Sequence, residues 1–560
     1  MNNDTRRTIL GAVLFASLFM IWNQWLEYSG KTPFFAFGAK PAASAAAPAS
    51  AANAAATLPT ASSSAEQTPL SSADNQALAA TSAASAPAGQ KISVSTDVFK
   101  LTFDTTGASL VGAELLQFNE QNNMEVKPFK LLDNSSSLQY MAQTGLIGGN
   151  YPNHLSAMTL VTPERELPAG KNELQVRFES EVVGGVKLVK TYTLKRGSYA
   201  ITVENNVINT GSVPVSVQLY NQLVRDNSKT PGSSTFYSTY TGPAFYSDEE
   251  KYQKTSFDDI AKGKASYQKT TSNGYVAMVQ QFFATAWLPE TGKARENYVR
   301  QQDSLYAAGQ IFNLGSIAPG ATSSNKTTLF VGPQQEQVMR QLSPNLEAVK
   351  DYGRLTIIAR PLYWLLTQLN NLLHNWGWSI VALVVLLKIA FYWFNHKAYS
   401  SMAKMRTVSP KLEELKKRYP DDKEKLQVET MRLYREEKIN PLGGCLPMLI
   451  QMPVFFALYS ALSSTVEMRG APWIWWIKDL AAPDPYYILP ILMTASSLLQ
   501  VWLNPKPSDP TQAKLMWFMP LSFAFMFFFF PSGLVLYWVT NNLLSIAQQW
   551  SINHHLGNKK

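Results

Sequence analysis

The chain has 560 residues, a hydrophobic content of 46% and a formal net charge of +9, which leaves room for several domains. One cysteine, Cys445, excludes an internal disulfide. The five histidines show no ligand spacing, so we expect neither a metal nor a cofactor. Long apolar runs concentrate in the last third, which predicts a soluble part joined to a membrane part.

The N-terminus is a basic, apolar segment. Arg6 and Arg7 precede an apolar run over residues 9–22. This pattern is typical of a cleavable signal peptide or of an uncleaved anchor. The interfacial tryptophans Trp22 and Trp25 favour an anchor over residues 1–28, with a cytoplasmic N-terminus.

The next segment, residues 29–90, is predicted to be a linker. Between residues 39 and 89 it consists almost entirely of Ala, Ser, Pro and Thr. Such a composition has too few large apolar side chains to bury a core, so we expect a disordered tether.

Residues 91–350 carry a β pattern. "VFKLTFD" alternates with period two, and "VKLVKTYTL" and "YAITVENNVI" flank the turn-forming "KRGS". Short alternating strands with Gly and Asn turns predict a large antiparallel sandwich. The stretch contains no nucleophile constellation and no glycine-rich phosphate loop. We expect a scaffold or a binding surface.

Residues 351–373 predict an amphipathic helix. Leucine and isoleucine recur at helical spacing, but Arg354 and several amides interrupt them, and Pro361 would bend the helix. The segment is too polar to span a bilayer. A helix lying at the membrane surface fits best, and a helix packed in a soluble domain is the alternative.

Five apolar segments follow within a core at residues 374–560, and they give six transmembrane helices with the N-terminal anchor. Several have only about 16–18 residues, near the lower limit for a hydrocarbon core of about 30 Å. The predicted spans are residues 376–394, 446–462, 486–503, 515–530 and 533–550.

The loop after the first of these spans is rich in Lys and Arg. Placing it in the cytoplasm puts both termini there and the β domain outside. Mixed charges and an apolar stripe predict a helical hairpin over residues 397–440, with a helix restart at Ser409 and Pro410 and a turn at "YPDD". Its basic residues suit ribosomal RNA or a targeting receptor, and a solvated loop that only sets topology is the alternative. Those selected as contacts are Lys404, Arg406, Lys416, Lys417 and Arg418.

Lys388 is the only formal charge within the five C-terminal segments. A charge at the bilayer centre costs about 2.5–3.5 kcal/mol on insertion scales, so a lysine at this depth indicates a functional role. With uncharged polar residues such as Gln451, Asn541 and Asn542, Lys388 could line a wet pocket that attracts an acidic segment. The alternative is a lysine that snorkels to an interface or pairs with a carbonyl or a lipid phosphate.

Several motifs resemble one family. "NPLGGCLPMLIQMPVFFALY", "DPYYILPILM" and "FPSGLVLYWVTNNLLSIAQQ" closely resemble segments of the YidC/Oxa/Alb membrane protein insertases. "SMAKMRTVSPKLEELKKRYPDDKEK" resembles the cytoplasmic hairpin of the bacterial members. The anchor and the large β domain are similar to the Gram-negative YidC type.

The resemblance implies an insertase and chaperone of the bacterial inner membrane, not an enzyme. It implies a β supersandwich in the periplasm and a five-helix core with a hydrophilic groove open to cytoplasm and lipid. The implied partners are nascent membrane proteins, the Sec translocon with its accessory subunits, the ribosome, a signal-recognition receptor and membrane lipids, but not DNA. The implied groove residues are Lys388, Gln451, Met452, Phe455, Trp538, Asn541 and Asn542.

Three positions depart from the family pattern. Lys388 stands where bacterial members usually carry arginine, so the charge is kept without the planar fork. Trp538 replaces a tyrosine, and Val384 stands one turn before Lys388 where relatives carry threonine.

Two other function classes make different predictions. A transporter or channel with a ligand-capturing outer domain predicts solute flux and usually several ionisable groups in the membrane. An anchored periplasmic scaffold predicts that residues 91–332 suffice for function. The sequence names neither the clients, nor the oligomeric state, nor the share of work done with Sec.

Overall fold

The computed structural model describes residues 89–120, 127–228, 240–420, 422–437, 446–504 and 510–557, together with Pro59. The predicted anchor at 1–28 and nearly all of the predicted linker at 29–90 lie outside these residues. The chain divides into a β-rich unit that ends at Lys350 and a helical unit that begins at Asp351.

Within its described residues, the β-rich unit contains two antiparallel sheets of nine strands each, with strands numbered in chain order. The first sheet has the spatial order β1 (Lys91–Ser95), β2 (Phe99–Asp104), β3 (Ser109–Asn119), β4 (Pro128–Asn134), β5 (Gln139–Ile147), β10 (Val215–Asp226), β17 (Leu305–Ile317), β16 (Arg295–Gln302) and β13 (Thr270–Thr271). The second has the order β12 (Lys251–Lys254), β11 (Gly242–Ser247), β14 (Tyr275–Val279), β15 (Phe283–Pro289), β18 (Thr322–Pro333), β9 (Ala200–Asn209), β8 (Val186–Lys195), β7 (Glu173–Ser180) and β6 (Met158–Leu160).

Alternation decides which face of a strand is buried. In β7, Leu174, Val176 and Phe178 are buried while Gln175 and Arg177 are exposed, as the period of two requires. The two sheets pack face to face, since the Trp287 indole N–H of β15 donates to the Gln222 carbonyl of β10 at 3.1 Å. The predicted antiparallel sandwich is therefore confirmed. Two short helices, α1 (Phe257–Ala261) and α2 (Glu336–Leu342), belong to the same unit.

A fully buried lysine ties the two sheets together. Lys190 on β8 donates to the Thr144 carbonyl of β5 at 2.7 Å and to the Gly107 carbonyl at 2.6 Å. Burial lowers the pKa of Lys190 to about 7. A lysine Nζ carries at least two N–H donors in either protonation state, which is enough for these two acceptors.

The helical unit contains eight α-helices within the described residues. They are α3 (Thr356–Leu373), α4 (Trp376–Ala390), α5 (Tyr392–Arg418), α6 (Lys423–Glu436), α7 (Leu446–Ser463), α8 (Ile488–Leu503), α9 (Pro510–Phe527) and α10 (Ser532–Gly557). Their shared core includes Leu383 and Val384 of α4, Leu458 of α7 and Val535 of α10.

Helix α3 is apolar on two faces. Leu362 and Leu366 are buried against α4 and α7. Ile357, Trp364 and Leu372 are exposed on other faces of the helix. The predicted helix is thus present, with one face packed on its own bundle.

The segment predicted as a single span at 376–394 is bent. Helix α4 ends at Ala390, and α5 begins at Tyr392 at an angle of 65° to it. Phe391, between them, has φ −93° and ψ 10°, which leaves helical geometry while its N–H still reaches the Leu387 carbonyl at 2.9 Å. The bend therefore occurs at one residue without loss of the last hydrogen bond.

The hairpin consists of α5, which ends at Arg418, and α6, which begins at Lys423, and an ion pair between Lys411 and Glu437 at 2.6 Å closes it. The predicted restart at Ser409 and Pro410 is wrong, because α5 runs unbroken from Tyr392 to Arg418. Proline forfeits one helical hydrogen bond. Val408 and Leu412 are buried on either side of Pro410, and this packing favours one continuous helix.

The remaining helices match the predicted apolar segments to within a few residues, except that α9 begins five residues earlier and α10 ends seven residues later than predicted. By length and composition, no single helix among the described residues could cross a bilayer, whereas the bent pair Trp376–Ala390 and Tyr392–Ser400 together could.

Candidate functional site: a cavity around Lys388

An open cavity lies between α4, α5, α7 and α10, and its empty space of about 400 Å³ includes solvent at its mouth. Its lining combines apolar side chains with one cation and several amides. Its lining consists of Val384, Leu387, Lys388, Phe391, Asn395, Gln451, Val454, Tyr537 and Asn541.

Lys388 supplies the charge of this cavity. It lies in the last turn of α4, where the helix dipole favours a cation. Its Nζ donates to the Ser545 hydroxyl of α10 at 2.6 Å. Among the described residues no carboxylate lies within ion-pair distance of it. An ammonium has three donors, so Lys388 keeps donors for a further partner.

Gln451 brings an amide to the same wall. Its Nε2 donates to the Asn541 side-chain oxygen of α10, and Tyr537 of α10 lines the cavity beside it. Tyr537, Asn541 and Ser545 are spaced four residues apart, so they lie on one face of α10. Tyr537 and Asn395 were not predicted as groove residues, although the four-residue spacing from Asn541 could have revealed Tyr537.

Phe455 and Trp538 form an aromatic cluster beside the cavity. Their ring centroids are 4.7 Å apart in an edge-to-face arrangement, and Trp538 also contacts Phe527 of α9 at 5.3 Å. Met452 is 41% exposed and does not line the cavity. Of the seven predicted groove residues, the structure places Lys388, Gln451 and Asn541 in the cavity lining.

Asn542 faces the other side of α10. Its Nδ2 donates to the hydroxyls of Ser496 at 3.0 Å and Ser497 at 2.9 Å, both on α8. It is buried and does not line the cavity. Neighbouring helix positions diverge by about 100°, so Asn541 and Asn542 serve different interfaces.

The end of the bundle where α4 and α8 begin is closed by the loop between α7 and α8. Buried Asp484 accepts hydrogen bonds from the Trp476 indole at 3.0 Å and from the Leu489 backbone at 2.7 Å. Trp473 packs directly over Gly377, where a Cβ atom would clash with its ring. Lys388 lies eleven residues further along, about 16 Å from this end.

The predicted hairpin contacts are only partly described. Lys416, Lys417 and Arg418 lie in the last turn of α5. Lys404 and Arg406 belong to the same helix, but their side chains lie outside the described residues.

Two family models match the chain. One, described as the YidC periplasmic domain, matches residues 91–365. The other, described as a 60Kd inner membrane protein, matches residues 368–559. Together they cover most of the sequence. The chain belongs to the YidC family of membrane protein insertases.

Full-length relatives agree with this assignment. The membrane protein insertase YidC of Cupriavidus taiwanensis is 49% identical, over 100% of this chain and 99% of its own length. That of Bordetella petrii is 50% identical, over 99% of each chain. Among solved structures, an active YidC insertase crystal structure with the first transmembrane domain resolved is 19% identical, with a TM-score of 0.38, over 82% of this chain and 91% of that one.

These comparisons confirm the resemblance found in the sequence. The family is one of insertases and not of enzymes, as expected. Its members are inner-membrane proteins with a periplasmic domain, which here corresponds to the β-rich unit.

Proposed function

We propose that this chain inserts nascent membrane proteins into the inner membrane and helps them fold, using the cavity around Lys388 to receive a polar or acidic segment. The observation that carries the proposal is a cation without a carboxylate partner among the described residues, in a cavity flanked by the amides of Gln451 and Asn541. A polar segment loses less hydration in such a cavity than in lipid.

The charge supplies attraction and the amides supply hydrogen bonds. In the low-dielectric surroundings of a bundle, an ammonium attracts a carboxylate more strongly than it does in water. Gln451 and Asn541 offer both donors and acceptors to backbone groups of the entering segment. The closed end at Trp473 and Asp484 supports a cavity that is entered from the opposite end of the bundle.

In this proposal the chain spans the membrane six times, with the anchor at 1–28 as the first span and α4, α7, α8, α9 and α10 as the others. Both termini lie in the cytoplasm, and α3 lies at the membrane surface. The hairpin α5–α6 contacts the ribosome or a targeting receptor through basic residues such as Lys416 and Lys417. The chain works both with and without the Sec translocon.

The test is complementation of insertase-depleted cells with Lys, Arg, Ala or Glu at position 388. Insertion of a small membrane protein with an acidic translocated segment is read by protease exposure. We expect Lys and Arg to support insertion and Ala and Glu to reduce it. If Ala equals Lys for acidic and neutral clients alike, the electrostatic mechanism is wrong.

A further inference from the structure

The hydroxyl of Ser545 lies where three helices, α4, α5 and α10, meet. Its Oγ donates to the Asn541 carbonyl, one turn earlier in α10, at 2.7 Å. The same oxygen accepts the Lys388 ammonium of α4 at 2.6 Å. The hydroxyl of Tyr399, which lies in α5, is a neighbour of the same oxygen.

Hydrogen counting fixes the direction of each bond. A serine hydroxyl has one proton and two lone pairs. The proton of Ser545 goes to the Asn541 carbonyl, so Lys388 donates to its oxygen. Ser545 therefore keeps one lone pair toward its neighbour Tyr399, and its position and that of the ammonium are mutually determined.

Tyr399 connects this hydroxyl to the hairpin. It is buried, with 5% of its surface exposed, near the start of α5. Since α5 is one unbroken helix from Tyr392 to Arg418, Tyr399 and the hairpin tip at Arg418 are joined by about 28 Å of helix.

We propose that Ser545 is a positioning residue that holds the Lys388 ammonium at the cavity and couples it, through Tyr399, to the hairpin helix. This inference rests on the proposed function, because it assumes that Lys388 receives the client. With one donor held by Ser545, the other two N–H bonds of the ammonium are directed to an entering carboxylate. A change in the position of α5 would shift the hydroxyl on which the ammonium rests.

The test compares two clients that differ only by Asp or Asn in the translocated segment. We expect S545A to lower insertion of the Asp client by about threefold to tenfold, the range for loss of one hydrogen bond to a charged group. The Asn client should change by less than about twofold, and S545T should restore the Asp client. If S545A lowers both clients equally, or neither, the positioning role is wrong.

Tyr399 is tested by a double-mutant cycle. Y399F should lower insertion of the Asp client less than S545A does, and adding Y399F to S545A should cause no further loss. Additive losses would show that Tyr399 acts independently of Ser545 and would overturn the coupling. If S545A does not accumulate in the membrane, S545C, which keeps the volume but is a weak acceptor, replaces it in both tests.

K388A separates the two proposals. If K388A lowers the Asp client but S545A and S545C do not, the proposed function stands and the positioning role fails. If K388A has no effect on either client, the electrostatic function fails, and the role of Ser545 fails with it.

Discussion

The β-rich unit and the helical unit each bury a lysine without a carboxylate partner among the described residues, yet the two sites are built differently. Lys190 is fully buried, and two backbone carbonyls hold its Nζ. Lys388 is partly buried, bonds one hydroxyl and borders a cavity that is open to solvent. The first lysine is a closed structural tie between sheets, whereas the second retains donors for a ligand. Burial of a charged residue alone therefore does not identify a functional site, and the unused donors and adjacent space do.

Charge reversal should separate the two lysines most strongly. K190E places a carboxylate against the Gly107 and Thr144 carbonyls, so we expect the β-rich unit to lose more than about 3 kcal/mol of stability. K388E should leave that unit's stability unchanged and abolish insertion of an acidic client. Limited proteolysis of the full-length protein, with fragment mapping, measures the first effect. Equal protease resistance of K190E and wild type would contradict the closed tie.

Arginine substitution tests for space around each lysine. K190R adds volume to a fully enclosed site, which costs about 1–3 kcal/mol through overpacking. K388R has the cavity beside it and should keep insertion within about twofold. Thermal unfolding of the full-length protein in detergent measures the first variant and client insertion the second. A K190R variant as stable as wild type, together with an inactive K388R variant, would contradict an enclosed site at Lys190 and free space beside Lys388.

The stability of the β-rich unit should depend on pH through Lys190. Burial lowers its pKa to about 7 from the ordinary lysine value of 10.5, so between these two pH values the unfolded state binds the extra proton. Stability should therefore rise with pH across this window, by at most about 1.4 kcal/mol per pH unit. Urea unfolding of the full chain, read by proteolysis within the β-rich unit, measures the slope. K190M is the control and should lack this contribution, so identical slopes would contradict the prediction.

Crosslinking from the neighbouring positions 541 and 542 should show which face of α10 borders the Lys388 cavity. In a C445S background, a cysteine at position 541 should crosslink to an arriving client several-fold more than one at 542, because only Asn541 lines the cavity. N542A should cost about 1 kcal/mol or less, since interhelical hydrogen bonds in membranes average about 0.6 kcal/mol. Thermal unfolding in detergent measures that loss. Stronger crosslinking from 542 would place the groove on the α8 side of α10.

Much of the architecture was predictable because local patterns agree with the tertiary fold. The alternation in "VKLVKTYTL" corresponds to β8, and the apolar segment 446–462 corresponds to α7. The predicted restart at Pro410 was wrong, because the packing of Val408 and Leu412 outweighs the local tendency of proline to interrupt a helix. The bend at Phe391 carries neither proline nor glycine, so no local signal marked it.

The candidate site was predicted in part. Lys388, Gln451 and Asn541 stood out as polar groups in apolar segments, and the cavity contains all three. Asn542 stood out equally, but it serves the α8–α10 contact. Polarity in an apolar helix indicates that a partner exists, but it does not identify the partner.

The sequence by itself determined the family, the division into a β-rich and a helical part, and the isolated charge at position 388, because these depend on composition, periodicity and motif. Only the tertiary structure decided which polar groups meet. Ser545 and Lys388 are 157 residues apart in the chain, yet their side chains are 2.6 Å apart in space. Helix packing sets such a contact, and helix packing depends on the shape of every side chain between them.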